Sequence, residues 1–281
     1  MSSFSCSINI CLVGAGHMGG AMLSRWLADG YEAKNITVID PNPSSNISRI
    51  IQEHGVVHFK NLVDIPHPDI IVIAIKPQII ESILISLCDL IDSKMLILSV
   101  TAGSTLAQLL RVFEKDGKNN VCLVRSIPNI PAMIGMGITC CVANQFVTKS
   151  QREIVNQILF TIGKVEWIDD EYLIDAITAI SGSGPAYVFY LTEALVEAGK
   201  SVGLSTHLSL QLVIATIYGS GALLDSSNLS PEELRKKVTS LHGTTEAALN
   251  VLMKEEALIR LIKRAVKAAT NRSRQLANHH D

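Results

Sequence analysis

The chain has 281 residues, of which 48% are hydrophobic, and its 24 basic and 26 acidic residues give a formal charge of −2. This length exceeds one average domain and predicts a two-domain globular protein. Charges of both signs are mixed along the chain, so the composition predicts no polycationic surface and argues against nucleic acid as a partner.

The cysteines and the N-terminal segment indicate a reducing compartment. No Cys-x-x-Cys pair occurs, and most cysteines lie in apolar segments, so we expect reduced core thiols and no metal site. The N-terminus lacks the basic region of a signal peptide, and glycines soon interrupt its apolar stretch, which predicts a cytoplasmic protein. The apolar segment 208–224 is interrupted by polar residues and glycines before it reaches about 20 residues, and it predicts a buried bundle helix with no membrane partner. The cysteines are Cys6, Cys11, Cys88, Cys122, Cys140 and Cys141.

Residues 1–167 alternate short, β-rich apolar segments with amphipathic ones, which is typical of an α/β domain with a parallel sheet covered by helices. Amphipathic spacing between the strands predicts helices over 18–28, 78–90 and 104–113. We therefore expect a Rossmann-type, doubly wound parallel sheet. The predicted strands lie near 8–13, 36–39, 70–75, 96–100, 121–125 and 137–142.

Residues 168–281 carry no strand signal and predict an all-α domain. Ser230, Pro231 and Glu233 form the signature of a capped helix start, followed by a helix to about residue 239. Several helices are apolar on more than one face, which exposed monomers rarely tolerate. We therefore expect a dimerisation domain that makes a homodimer through the C-terminal helices. The other predicted helices lie over 171–180, 185–202, 208–224 and 255–277.

A glycine-rich motif follows the first predicted strand and leads into a helix. Gly14 permits a tight turn, Gly16 admits a pyrophosphate, and Gly19 allows the helix to pack on the strand. The unpaired N–H groups at the helix start favour an anion. The sequence therefore predicts a dinucleotide site that includes His17 and Met18.

Asp40 stands 21 positions past Gly19, at the end of the second strand. A carboxylate there binds the adenine ribose hydroxyl of NAD and repels the extra phosphate of NADP. However, Asn42 lies in a polar turn, 41–46, that could hold a phosphate if Asp40 turned away, or could simply cap a helix near Ile47. The choice between NADH and NADPH stays open.

Five segments share the order and spacing of one known family. They are Gly14 to Gly19, Ala74 to Pro77, Arg125 to Pro131, Ser181-Gly182-Ser183-Gly184-Pro185-Ala186-Tyr187, and Thr239 to Thr245. Through them the chain resembles the pyrroline-5-carboxylate reductase family over essentially its whole length. The resemblance implies an NADPH- or NADH-dependent enzyme that transfers hydride to the C=N bond of L-1-pyrroline-5-carboxylate, giving L-proline in the last step of proline biosynthesis.

The same resemblance implies cofactor contacts by Asn61, Ala74, Lys76 and Pro77. It also implies that Pro128 and Asn129 lie beside the reactive ring. Lys76 and Asn129 follow predicted strands, where ligands bind in open parallel sheets. Taken alone, these two residues are equally well explained as a solvated lysine and a turn asparagine.

The segment 240–245 resembles the Ser-Pro-Gly-Gly-Thr-Thr substrate loop of that family, with Leu241 and His242 in place of Pro and Gly. The loop precedes a predicted helix, whose N-terminus favours a carboxylate. His242 is either a surface residue or a charge close to the substrate. The resemblance implies that Ser240, Gly243 and Thr244 bind the substrate carboxylate, and that Thr245 binds the ring nitrogen as the catalytic residue. Without the resemblance, Thr245 is equally a helix cap.

Other functions remain open. The β-hydroxyacid dehydrogenases share this domain order, but Val188 stands where their pattern has a lysine, and valine cannot act as a base. A reductase of another imine, a deazaflavin-dependent enzyme and a non-catalytic nucleotide sensor are further alternatives. The second anion-binding loop argues against a sensor.

Overall fold

The computed structural model describes residues 8–62, 65–92 and 95–278, so Cys6 lies outside the described residues. The strands are β1 (Ile10–Val13), β2 (Ile36–Ile39), β3 (Val57–Phe59), β4 (Ile70–Ile73), β5 (Leu96–Ser99), β6 (Cys122–Pro128), β7 (Gly137–Ala143) and β8 (Gly163–Trp167). The first helices are α1 (His17–Ala28), α2 (Ser45–His54), α3 (Ile80–Leu87), α4 (Leu106–Lys115), α5 (Lys149–Phe160) and α6 (Ile174–Ile177). The remaining helices are α7 (Gly184–Ser201), α8 (Thr206–Ser226), α9 (Pro231–Lys237), α10 (Thr244–Leu252) and α11 (Ala257–Asn278).

The strands form one sheet in the order β3-β2-β1-β4-β5-β6-β7-β8, with helices on both faces. The first strand lies between β2 and β4, so the strand order reverses there, as in a Rossmann-type fold. The predicted α/β class is confirmed. The sheet is not wholly parallel, because β7 runs antiparallel to β6. Only the short turn of helix Ile130–Ile134 joins them, and such a connection is too short for a parallel crossover.

Two strands and one helix were missed by the sequence prediction. β3 has three residues and includes His58, and β8 alternates apolar residues with Lys164 and Glu166. Both strands lie at the edges of the sheet, where the continuous apolar pattern of a buried strand is not required. The missed helix, α5, begins at a capping box formed by Thr148 and Gln151.

The single helix predicted over 171–180 is wrong in detail. The segment divides into a 3-10 turn at Glu171–Leu173, the short α6, and a π-helical turn at Thr178–Gly182. π turns interrupt a helix and often mark functional positions. The other predicted helices of this half correspond to α7, α8, α9 and α11 within a few residues.

The chain divides into two compact units. One unit comprises the described residues up to Gly182 together with those from Thr270 onward, and the other spans Ser183–Ala269. The sequence predicted a boundary between residues 167 and 168, and that domain assignment stays a prediction. The first unit contains the sheet with α1 to α6, and the second contains α7 to α10 with most of α11.

The core of the first unit lies on both faces of the sheet. Trp26 and Leu12 are fully buried on one face, and Phe113 and Ile97 on the other. The cysteines Cys11, Cys88, Cys122, Cys140 and Cys141 are buried and form no disulfide within the described residues. Burial raises the pKa of the Cys11 thiol to about 12, so this thiol stays protonated at neutral pH.

The helices of the second unit leave large apolar side chains exposed within one chain. Ile214 and Leu212 on α8 are about half exposed, as is Phe189 on α7. In the described part of the chain, α8 is the helix long and apolar enough to cross a membrane by length and composition, and only 6% of it is buried. The sequence predicted a buried bundle helix, and within one chain this helix is mostly exposed. Exposed apolar surface of this extent is typical of an interface.

Candidate active site

The glycine loop between β1 and α1 is held by close backbone packing. Gly14 has φ of +90°, and a Cβ built there would lie 2.7 Å from the carbonyl oxygen of Ala74. A Cβ on Gly19 would collide with the carbonyl oxygen of Gly14. A Cβ on Gly16 would meet no atom within 4 Å, so the loop is open on that side. Gly16 is also the N-cap of α1, whose first turn holds no acidic residue, and this opening favours an anion.

Asp40, just past the end of β2, binds backbone N–H groups with both carboxylate oxygens. Oδ2 accepts a hydrogen bond from the Ala15 N–H at 2.8 Å, and Oδ1 accepts one from the Asn42 N–H at 2.8 Å. The first bond ties the glycine loop to β2. The second folds the polar turn back over the carboxylate.

A cavity of about 640 Å³, here called the strand-end cavity, opens at the C-terminal ends of β1, β2 and β4. It lies where the strand order reverses, which is the usual ligand position in open parallel sheets. Apolar side chains such as Ile79 and Ile83 contribute to its wall. Among the predicted cofactor residues, Gly14, Gly16, Asp40, Asn61, Ala74 and Lys76 line this cavity.

A second cavity of about 390 Å³, here called the α2-end cavity, lies beside the N-terminus of α2. The Ser44 hydroxyl caps this helix by accepting a hydrogen bond from the Ile47 N–H at 3.3 Å. Both cavities share Gly16 and Asp40. His17, Asn42, Ser44 and Asn46 also line the α2-end cavity.

Several predicted cofactor residues lie outside these two cavities. Met18 packs against the hydrophobic core, and Gly19 is buried where α1 crosses the glycine loop. Pro77 begins the 3-10 turn that precedes α3. Pro128 is the last residue of β6. Their cofactor roles stay predictions.

Asn129 is engaged by the protein itself. Its Nδ2 donates to the Ser181 carbonyl at 3.1 Å, and its Oδ1 accepts from the Ile138 N–H at 3.0 Å. One amide therefore joins the end of β6 to β7 and to the π-helical turn that contains Ser181 and Gly182, the first two residues of the Ser-Gly-Ser-Gly motif.

A buried ion pair supports the same region. The Arg125 side chain is 5% exposed and donates from Nη1 to Glu171 Oε1 at 2.6 Å. The same carboxylate oxygen accepts the Leu106 N–H at the start of α4. The pair therefore links β6, α4 and the segment after β8. Removing one partner would leave a buried charge, which is strongly destabilising.

The predicted substrate loop, residues 240–245, lies in the second unit and ends at the first turn of α10. Gly243 is the N-cap of α10, so Thr245 is not the cap, and its hydroxyl lies in the half-buried second helical position. A Cβ on Gly243 would collide with the Ser240 hydroxyl. Thr244 and Ser240 are exposed. The loop thus places two exposed hydroxyl-bearing residues beside a helix N-terminus.

Sequence reasoning missed contacts made by the backbone or by distant side chains. The Ala15 N–H that binds Asp40 leaves no side-chain signal in the sequence. Lys60 in the strand-end cavity, Ser24 in the α2-end cavity and Glu246 beside the substrate loop were also missed. Among the described residues, no group of three or more His, Cys, Asp or Glu is arranged to hold a metal ion.

Comparisons with known proteins agree on the family. The model for pyrroline-5-carboxylate reductase dimerisation matches residues 171–276, and the model for NADP oxidoreductase, coenzyme F420-dependent, matches residues 9–103. The pyrroline-5-carboxylate reductase of Pseudomonas aeruginosa is 35% identical over 95% of this chain and 96% of its own. That of Corynebacterium melassecola is 31% identical over 96% of this chain and 99% of its own.

Solved structures show the same likeness. A pyrroline-5-carboxylate reductase from Coxiella burnetii matches with a TM-score of 0.88 and 30% identity, covering 97% of this chain and 99% of that one. The Plasmodium falciparum pyrroline carboxylate reductase, crystallised with NADP bound, matches with a TM-score of 0.81 and 28% identity, covering 96% of this chain and 98% of that one.

The Rossmann-type sheet, its open glycine loop and the NADP oxidoreductase match define an NAD(P)H-dependent oxidoreductase. The full-length relatives then settle the family. The chain belongs to the pyrroline-5-carboxylate reductase family.

Two alanine substitutions separate dinucleotide binding from folding. Gly16→Ala adds a methyl group to open space but replaces a better N-cap residue, so we expect a stability loss of no more than about 1 kcal/mol. We also expect about tenfold weaker NADPH binding, because the methyl group obstructs a pyrophosphate. Gly19→Ala forces α1 off the Gly14 carbonyl and should cost about 1–3 kcal/mol of stability. Thermal unfolding and NADPH fluorescence titration measure both effects. Unaltered NADPH affinity in Gly16→Ala would contradict the predicted site.

Proposed function

We propose that this protein is a pyrroline-5-carboxylate reductase that converts L-1-pyrroline-5-carboxylate to L-proline, the last step of proline biosynthesis. The observation that carries the proposal is the presence of two anion-binding features in one chain. One is the open glycine loop at the strand-order reversal, and the other is the substrate loop before α10. A nucleotide sensor would need only the first.

The reaction moves a hydride to the imine carbon and leaves a proton on the ring nitrogen. The dihydronicotinamide supplies the hydride when it is bound. The two electrons saturate the C=N bond, and the nitrogen gains its proton from solvent before or during transfer. The protein therefore has to position the imine, exclude water and offer a hydrogen-bond partner to the nitrogen. We assign that partner to the Thr245 hydroxyl.

The substrate carboxylate is assigned to the N-terminus of α10. The first N–H groups of a helix lack partners within the helix and attract an anion. Ser240 and Thr244 add hydroxyl donors. Gly243 lets the loop close on Ser240, since any side chain would collide with the Ser240 hydroxyl.

Two substitutions at Thr245 test its role. Thr245→Ala removes the hydroxyl and should lower kcat by about ten- to a hundredfold, the size expected for one hydrogen bond in the transition state. Thr245→Ser keeps the hydroxyl and should retain most of the turnover. Steady-state kinetics with saturating NADPH measure both variants. If Thr245→Ala turned over as fast as Thr245→Ser, the assignment would be wrong.

We further propose that NADPH is the preferred coenzyme. Both oxygens of Asp40 already accept backbone N–H groups, so this carboxylate is turned towards its own chain. The first turn of α2 holds no acidic residue, and its N-terminus faces the α2-end cavity. Arg49 Nη2 lies 3.1 Å from Asn46 Oδ1, which places a cation at the same end of the helix. A 2′-phosphate would gain from both features.

Arg49→Gln tests the phosphate site. Removing the guanidinium should raise KM for NADPH by about five- to tenfold, the usual size for one charge-assisted contact, and leave KM for NADH unchanged. Lys34→Gln, at an exposed cation beside Glu32 before β2, serves as the matched control. Equal effects of Arg49→Gln on the two coenzymes would refute the assignment.

The match to a dimerisation model shows that the protein forms a homo-oligomer. We propose a homodimer built by the C-terminal helices, in which a second copy covers the exposed apolar side chains of α7 and α8. Such a surface is typical of an obligate interface.

We propose further that the protein is cytoplasmic, that α8 serves assembly with no membrane partner, and that nucleic acid is not a ligand. A formal charge of −2 agrees with the last point.

A charged residue on α8 should disrupt the dimer. Ile214→Arg puts a cation into the proposed apolar interface, where an unpaired charge is costly, and should shift the protein towards monomer. Ile85→Arg changes an equally exposed isoleucine on α3 in the first unit and should leave the assembly intact. Sedimentation velocity distinguishes the two. An Ile214→Arg variant that remains fully dimeric would contradict the proposed interface.

A further inference from the structure

His242 is held in an unfavourable backbone conformation within the substrate loop. Its φ is +57°, in the left-handed region that favours glycine. The side chain is 86% exposed, so it is not crowded by neighbouring atoms. Only the backbone angle is unfavourable for a residue other than glycine. Gly243 differs, because its side-chain space is filled by Ser240. Strained residues of this kind tend to occur at functional sites, where they point to a hypothesis.

One carboxylate holds this conformation. The His242 N–H donates to Glu246 Oε2 at 2.7 Å. The imidazole Nδ1 lies 3.9 Å from the same oxygen. Glu246 belongs to the first turn of α10 and is about one-third exposed. The backbone and the imidazole of His242 therefore both face one negatively charged group.

Glu246 places a negative charge beside the helix N-terminus that receives the substrate carboxylate in the proposed function. Two anions at one site repel each other, and an imidazolium next to Glu246 offsets that repulsion. The preceding helix α9 carries both acidic and basic side chains, and its Glu233 accepts the Ser230 N–H at 2.8 Å. Glu232 lies 2.8 Å from Lys236 and 3.9 Å from Arg235, while Lys237 ends the helix. The turn after α10 contains three further charged residues, Lys254, Glu255 and Glu256.

We propose that His242 and Glu246 together set the affinity of the substrate loop for the carboxylate of the substrate and product, and make that affinity depend on pH. This inference rests on the proposed function. With the imidazole protonated, the pair is neutral and the carboxylate binds more tightly. With the imidazole neutral, the Glu246 charge is exposed to the ligand and binding weakens. Histidine is the side chain whose charge most readily changes near neutral pH, so pH is the variable that tests this pair.

L-Proline is the probe, because its carboxylate and ammonium groups keep their charges from about pH 5.5 to about pH 8.5, the range in which histidine titrates. Its dissociation constant from the full-length protein is measured at both ends of this range by saturation-transfer NMR. We expect the wild-type constant to rise about two- to fivefold with pH, as for a partly exposed ion pair. His242→Asn should bind proline equally at both values, because asparagine tolerates the left-handed conformation but carries no charge.

Further variants exclude indirect effects. Glu246→Gln removes the repelling charge and should bind proline at high pH as tightly as the wild type does at low pH. His54→Asn, on α2 in the first unit, should keep the wild-type pH dependence. His242→Gly relieves the backbone strain, so it should be at least as stable as the wild type and show the same flat profile as His242→Asn.

The outcomes separate this inference from the proposed function. Wild-type pH dependence retained in His242→Asn and His242→Gly would overturn the role of His242 alone. Absence of NADPH-dependent reduction of L-1-pyrroline-5-carboxylate would overturn the proposed function. A wild-type protein that reduces this imine but binds L-proline equally at both pH values, or not at all, would overturn this inference alone.

Discussion

The close approach of the glycine loop to its neighbours is the constraint on which the dinucleotide site depends. A side chain on Gly14 would be too close to the Ala74 carbonyl oxygen, and a side chain on Gly19 would collide with the Gly14 carbonyl oxygen. This contact brings the ends of β1 and β4 together, and Asp40 joins β2 to them through the Ala15 N–H. Three strand ends and the start of α1 thus form one opening. Its free side, at Gly16, faces the cavities that would receive a coenzyme.

The second unit contains the predicted substrate loop. Its helices have apolar side chains that a single copy of the chain leaves exposed. The segment 171–276 matches a dimerisation model, and exposed apolar faces are what an assembly interface requires. That match and the predicted substrate loop therefore lie in the same part of the chain. In the predicted substrate loop, His242 has a left-handed backbone, which is a conformation suited to glycine.

The sequence predicted the centre of the fold well, because β1, β2 and β4 are buried on both faces and appear as continuous apolar segments. It failed at β3 and β8, where the edge of the sheet relaxes that pattern, and it could not give the direction of β7. The glycine spacing and Asp40 predicted where a dinucleotide site would lie. The orientation of the Asp40 carboxylate could not be predicted, because backbone N–H groups that carry no residue-specific signal determine it.

The most direct test of the proposed function is the initial rate of NADPH oxidation by the purified protein in the presence of L-1-pyrroline-5-carboxylate, with L-proline quantified at the end. We expect saturable turnover in which NADPH consumed equals L-proline formed, with no oxidation when the imine is omitted. A protein that binds NADPH but does not oxidise it with this imine would contradict the proposed function and favour another imine substrate or a sensor.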